Sequence, residues 1–230
     1  MVRQAFVLAG GKGERLRPLT EKIPKPLIEV RGKPILQYAL ENLIEHGVDE
    51  VILATGYLHE KIEEKFGDGS WLGISIKYSV EKEALGTGGA LKAAREMLEE
   101  RFAMLNGDNI ADFDVTAMAQ RHAKHGAMAT LALVEVEDVS SYGIAKLHGE
   151  RISEFVEKPR QEDAPSKLAN AGCYIIERGG LSHLPKGFCM IEKTMFPQLA
   201  ARGKLFGFMH TGKWFTTDTF ERLKRAEENL

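Results

Sequence analysis

Near its start the chain carries an apolar run that stops at closely spaced glycines. Phe6-Val7-Leu8-Ala9 leads into Gly10-Gly11-Lys12-Gly13, then Glu14-Arg15-Leu16-Arg17-Pro18-Leu19-Thr20 and Pro24-Lys25-Pro26-Leu27. Glycines let backbone N–H groups approach an anion closely, and fixed cations neutralise it. Two well-known phosphate loops fit poorly. A Walker A loop needs Ser or Thr after its Lys, whereas Gly13 follows Lys12. A dinucleotide fingerprint needs a third glycine where Leu16 stands. Taken alone, Gly-Gly-x-Gly reads equally well as a tight turn. Arg15 and Pro24-Lys25-Pro26 tilt the reading toward a loop that holds a triphosphate.

Strand-like and helix-like segments alternate after this loop. Strands are expected at 4–8, 50–54, 74–79, 102–105 and 129–136. Helices are expected at 35–46, 59–66, 88–101 and 116–125. This β-α alternation predicts an α/β chain with a Rossmann-like, mostly parallel, doubly wound sheet. Beyond residue 136 the strand-like runs 144–147, 152–155 and 172–177 have short connections and suggest a small antiparallel addition covering one end of the sheet. Residues 192–202 and 218–229 read as closing helices, and 161–167 as a surface loop. The expectation is a single domain over 1–230, divided into halves at 136/137.

A net charge of −2 gives no reason to expect a nucleic-acid partner. There is no apolar run of about 18 residues, so no membrane partner is expected either. The N-terminus enters strand-like sequence without the organisation of a leader peptide. Cys173 and Cys189 form no C-x-x-C pair. Together these features lead to the expectation of a reduced, cytoplasmic chain, a monomer or a small homo-oligomer. His122 and His125 read as solvated helix residues.

In an open α/β sheet, ligands sit at the carboxyl ends of strands. Asn106-Gly107-Asp108-Asn109 follows the strand at 102–105, where Asp108 suits Mg²⁺ and the same residues also suit a plain turn. Leu85-Gly86-Thr87-Gly88-Gly89 opens a helix with residues small enough for a flat base, or with glycines alone. Tyr142-Gly143, Phe155-Val156-Glu157-Lys158-Pro159 and Asn170-Ala171-Gly172-Cys173-Tyr174 offer an acid, a base, an amide and two glycines. Asp218 lies four residues after Trp214 and also suits a helix N-cap, with Glu221 completing a capping box.

Taken in this order, the motifs resemble the sugar-1-phosphate nucleotidylyltransferases, whose signature is L-A-G-G-x-G-[ST]-R-L-x-P-[LM]-T followed by P-K-P. Glu14 departs from it, where Ser or Thr is commoner. In size and motifs the chain is similar to heptose-1-phosphate guanylyltransferases, N-acetylmuramate-1-phosphate uridylyltransferases and glucose-1-phosphate cytidylyltransferases. The resemblance runs from Ala5 to about Leu223. The left-handed β-helix that follows the catalytic domain in some relatives is not expected within these residues. The resemblance implies that nucleoside triphosphate and sugar 1-phosphate form NDP-sugar and pyrophosphate, with Mg²⁺ as cofactor. Arg15 and Lys25 would be catalytic, and Leu8, Ala9, Gly10, Gly11, Gly13, Glu81, Gly86 and Thr87 would bind the nucleotide. Asn109, Gly143, Glu157, Lys158 and Asn170 would bind the sugar phosphate, placing the sugar on the 137–230 half. Asp108 and Asp218 would hold the metal; most relatives place that second aspartate where Thr216 stands. Transfer to a non-sugar phosphate and a non-catalytic nucleotide-sugar-binding homologue are the alternatives. The sugar and the base stay open.

Overall fold

The computed structural model describes residues 2–230. In the first half the elements are β1 (Gln4–Leu8), β2 (Glu29–Val30), β3 (Lys33–Pro34), α1 (Ile35–Glu45), β4 (Glu50–Thr55), α2 (His59–Phe66), β5 (Ser75–Val80), α3 (Gly86–Ala93), β6 (Arg101–Asn106) and β7 (Asn109–Ala111). Then come α4 (Val115–His125), β8 (Ala129–Glu135), β9 (Gly143–His148), β10 (Arg151–Glu157) and β11 (Leu168–Glu177). The chain closes with α5 (Met195–Ala201), β12 (Leu205–Met209), β13 (Trp214–Thr216) and α6 (Phe220–Asn229).

Nine strands form one sheet in the order β5-β4-β1-β6-β11-β8-β12-β10-β9. Strand β1 is parallel to β4 and β6, β4 to β5, and β8 to β12. Only β10 and β11 run against the rest. The expected mostly parallel α/β architecture is therefore present. Strand β1 is buried on both faces, which is why, from Ala5 to Leu8, its sequence is a continuous apolar run rather than an alternating one. Successive side chains still point to opposite faces. Val7 joins a core with Leu36, Leu40 and Leu43 of α1 and Met118 of α4. Phe6 joins a second core with Leu91 of α3 and Phe196 of α5. A smaller cluster of Leu16, Val30, Ile35, Ile110 and Ala226 ties the segment after the glycine loop to α6.

Several expectations are corrected. The antiparallel strands do not cover an end of the sheet; they extend it, and β11 pairs with β9 as well as with β8 and β6. The helix expected at 88–101 stops at Ala93, and a tight turn at Arg95–Met97 leads into β6. Gln4 accounts for the stop. Its Nε2 donates to the Met97 carbonyl at 2.9 Å and its Oε1 accepts from the Glu99 N–H at 2.6 Å, drawing the chain toward the sheet. The helix expected from 192 begins only at Met195. Strand β11 begins at Leu168 rather than 172, and β12 was not expected at all. His122 is buried, not solvated. Its ring nitrogens meet Thr130 Oγ1 at 2.9 Å and Glu177 Oε1 at 3.1 Å. His125 is only partly exposed and pairs with Glu150.

Burial pushes the His122 imidazole below its ordinary value, against the opposing pull of Glu177. The folded chain thus binds this proton less readily than the unfolded one. The contribution to stability is full above the unfolded value, about pH 6.5, and is lost as pH falls below it. The drop in urea midpoint between about pH 7.5 and about pH 5.5 is expected to be smaller in His122→Gln than in the wild type; equal drops would contradict this.

Gly172 sits in the irregular stretch of β11 between Asn170 and Tyr174 at φ 85°, where a Cβ would meet Asn106 Nδ2 at 2.7 Å. Gly172→Ala is expected to lose about 1–3 kcal/mol in urea unfolding, and a loss under about 0.5 kcal/mol would contradict the strain assigned here.

Candidate active site

The parallel strands β5, β4, β1 and β6 end on one rim, and their loops surround a cavity of about 740 Å³. Leu8, Ala9, Gly10 and Gly11 line it from β1. Glu81 lines it from β5, Gly86 and Thr87 from the start of α3, and Asn106 and Asp108 from the end of β6. A Cβ on Gly11 would meet nothing within 4 Å, so this part of the loop is open to a ligand. Gly107 N–H donates to the Leu8 carbonyl at 2.9 Å, holding the β1 and β6 loops together. Gly13 lies outside the lining, at the left-handed start of the turn Glu14–Leu16.

Lys25 enters the cavity from a short turn, Lys25–Leu27, framed by Pro24 and Pro26. Its side chain is only 8% exposed, and Nζ donates to Asp108 Oδ2 at 2.6 Å. Arg15 is not on the cavity wall; its guanidinium pairs with Asp218 at 2.5 Å. Arg222 of α6 pairs with the same carboxylate at 2.7 Å. Burial pushes the Asp218 carboxyl up, but Arg222, Arg15 and Lys25 outweigh it and hold the group below the usual carboxylate range. The Lys25 field therefore reaches both aspartates. Thr217 Oγ1 donates to the Asp108 carbonyl at 2.6 Å and joins their two loops. Asp218 is not the N-cap of α6, and the expected capping box does not form. Thr219 caps the helix, its Oγ1 accepting from Arg222 N–H at 3.2 Å, and Asp218 is left to the cations.

Among the described residues no cluster of three or more His, Cys, Asp or Glu could hold a metal by itself. Mg²⁺ commonly takes one or two carboxylates and completes its shell with substrate phosphate and water. Asp108 and Asp218, linked through Thr217 and Lys25, fit that pattern.

On the opposite wall, Glu81 is partly buried and burial raises its carboxyl; the Leu85 N–H donating to Oε2 at 2.9 Å opposes this. Thr87 Oγ1 donates to Glu192 Oε2 at 2.6 Å.

The remaining expected residues form a second group, outside this cavity wall. Asn109 Nδ2 donates to the Ala171 carbonyl at 3.1 Å, which also accepts from Trp214 Nε1 at 2.9 Å. Asn170 donates to the Tyr174 hydroxyl at 2.8 Å and accepts from Gly172 N–H at 3.2 Å. Gly143 lies against Glu157, since a Cβ there would meet Oε2 at 2.7 Å. Burial, reinforced by Glu192, pushes the Glu157 carboxyl up; Lys158 and Lys193 oppose the shift. Lys158 has φ 50° and its Nζ is 3.8 Å from Glu157. Glu192 and Arg222 were not singled out in the sequence. Each sits in a helix-like stretch, where a charged residue is ordinarily solvated, and only tertiary packing distinguishes them.

The nucleotidyl transferase family model matches residues 4–230. The chain is 42% identical over 217 residues to the mannose-1-phosphate guanylyltransferase catalytic subunit beta of Danio rerio, covering 92% of this chain and 60% of that one. It is 38% identical over 231 residues to the mannose-1-phosphate guanylyltransferase of Mycobacterium tuberculosis, covering 98% of this chain and 64% of that one. The chain thus spans less than two thirds of these curated relatives. A UDP-glucose pyrophosphorylase solved with UDP-glucose superposes with a TM-score of 0.88 at 25% identity, covering 99% of this chain and 98% of that one. No helix among the described residues is long and apolar enough to cross a membrane. With the glycine loop, Lys25 and Asp108 gathered at one rim and the family model spanning almost the whole chain, the protein belongs to the nucleotidyl transferase family.

Proposed function

We propose that this chain joins GTP to mannose 1-phosphate, giving GDP-mannose and pyrophosphate. The observation that carries the reaction class is the buried Lys25 ammonium on Asp108 beside the open Gly10–Gly11 loop. The choice of base and sugar rests on the two guanylyltransferase relatives at 42% and 38% identity, against 25% for the uridine-using neighbour.

A sugar-phosphate oxygen attacks the α-phosphorus in line, and pyrophosphate leaves. The nucleophile is already anionic, so no general base is needed. The task is to hold two anions together and to stabilise the charge of the transition state. Lys25 serves the α-phosphate and the incoming phosphate. Arg15 leaves Asp218 for the α-phosphate and the departing pyrophosphate. Asp108 and Asp218 would hold Mg²⁺, which neutralises phosphate charge and orients the reacting groups. The backbone from Leu8 to Gly11, with Gly13 beyond it, Gly86 and Thr87 surround the nucleotide. Glu81 Oε1 accepts from guanine, whose N1–H and N2–H₂ form a donor pair that uracil and thymine lack. Glu157 accepts from sugar hydroxyls, Gly143 lets the Glu157 side chain lie against the backbone beside the ring, and Lys158 takes the sugar phosphate. Asn170 keeps one amide proton for a sugar hydroxyl, and Asn109, on the Ala171 carbonyl of the irregular stretch of β11, keeps its other amide proton for the sugar phosphate.

Pyrophosphate release from a matrix of nucleoside triphosphates and sugar 1-phosphates tests this. Release is expected fastest with GTP and mannose 1-phosphate and is expected to stop with EDTA. A faster pair would overturn the substrate assignment, and no release from any pair by the folded protein would overturn the activity. Lys25→Ala is expected to lower kcat by about 10²–10³-fold, the scale for losing one transition-state donor. Near-normal turnover in the folded variant would remove Lys25 from the mechanism.

A further inference from the structure

Residues 189–196 form a strap between the two groups of site residues. One end is fixed to the first turn of α3. Cys189 N–H donates to the Leu85 carbonyl at 2.9 Å, while Gly88 and Gly89 N–H groups donate to the Cys189 carbonyl at 2.9 and 3.2 Å. Gly86, at φ 71°, leaves no room there: a Cβ would meet the Cys189 carbonyl oxygen at 2.6 Å. The other end is fixed to β10 and β11. The Phe196 ring lies 5.5 Å from Phe155, two residues before Glu157, and 5.3 Å from Tyr174, the partner of Asn170.

Glu192 lies in the middle of this strap, 7% exposed. Its neighbours Ile191, Met195 and Phe196 are the apolar residues that burial ordinarily selects. A carboxylate retained in such a place needs partners. Its Oε2 accepts from Thr87 Oγ1 at 2.6 Å, and that hydroxyl accepts in turn from Ile191 N–H at 3.0 Å. Thr87 is on the nucleotide cavity wall. Burial pushes the Glu192 carboxyl up, opposed by the Thr87 hydrogen bond, Lys158 and Lys193, and Glu192 in turn adds to the burial that raises the Glu157 carboxyl.

The geometry points to Glu192 as a positioning residue that couples the nucleotide pocket to the sugar-phosphate pocket through Thr87. The inference rests on the assignment of those pockets proposed above. A nucleotide that fixes Thr87 fixes the Glu192 carboxylate, and with it the strap whose Phe196 packs on Phe155 and Tyr174 beside Glu157 and Asn170. Coupling of this kind is reciprocal: each substrate changes the affinity for the other by the same factor.

Calorimetry with the α,β-methylene analogue of GTP, which cannot release pyrophosphate, measures that factor with and without saturating mannose 1-phosphate in Mg²⁺. In the wild type the nucleotide Kd is expected to change by about fivefold or more when the sugar phosphate is present. In Thr87→Val and in Glu192→Gln the ratio is expected to fall within about twofold of one, whatever happens to the affinity for nucleotide alone, and Thr87→Ser is expected to restore it. A purely structural role would lower unfolding midpoints and leave the ratio unchanged. An unchanged ratio in the folded variants, or a wild-type ratio of one, would overturn the coupling while leaving the proposed reaction standing. If Glu192→Gln does not fold, the Thr87 pair decides the matter alone. Failure of the wild type to bind the analogue would overturn the nucleotide assignment itself, and the coupling with it.

Discussion

A nearly buried ammonium cannot stand alone, and the Lys25–Asp108 contact is the constraint around which the rest of the site is arranged. Lys25 comes from the segment after β1 and Asp108 from the loop after β6, strands that are neighbours in the sheet. Their pairing satisfies a charge that burial would otherwise penalise heavily. It also places a cation at the strand ends before any substrate arrives. Arg15, Asp218 and Arg222 repeat the device with α6, and Thr217 links the two aspartate loops. A cation held in place as Lys25 is lowers the energy of a phosphoryl transition state because it needs no reorganisation during the reaction.

The fold around this site was legible where one local pattern decided it. Strand β1 could be read because both its faces are covered, so Ala5–Leu8 is uniformly apolar up to the glycines. Lys25 and Asp108 stood out because each follows a strand signal or sits between prolines. Other features depended on contacts far away in sequence. Asn170 and Gly172 disguised the first half of β11, which exists because β9 and β8 pair with it. The end of α3 was set by the side chain of Gln4, which lies about ninety positions earlier than the carbonyl and amide it binds. His122 looked like a helix surface residue, yet Thr130 and Glu177 enclose it.

The two groups of site residues differ in the same way. The nucleotide-side residues come from consecutive βα loops at one rim, so a strand-by-strand reading finds them. The residues assigned above to the sugar come mainly from β9, β10 and β11, strands that run in both directions and do not all follow one another in the sheet. One connection to the other group runs through the strap at 189–196, where Glu192 carries no local signal of its own. The halves are joined by the β6–β11 ladder in the sheet and, beside it, by the strap, through backbone contact with α3 at one end and aromatic packing by Phe196 at the other.

If both anions are held by fixed cations in this way, transfer occurs in a single displacement at the α-phosphorus, with no nucleotidyl group resting on the protein. The stereochemical course at that atom tests this most directly. Starting from one diastereomer of GTP carrying sulfur on the α-phosphate, and assigning the GDP-mannose analogue by phosphorus NMR, inversion of configuration is the predicted result. Retention would mean two successive displacements through a covalent intermediate and would contradict direct attack of the sugar phosphate on the bound nucleotide.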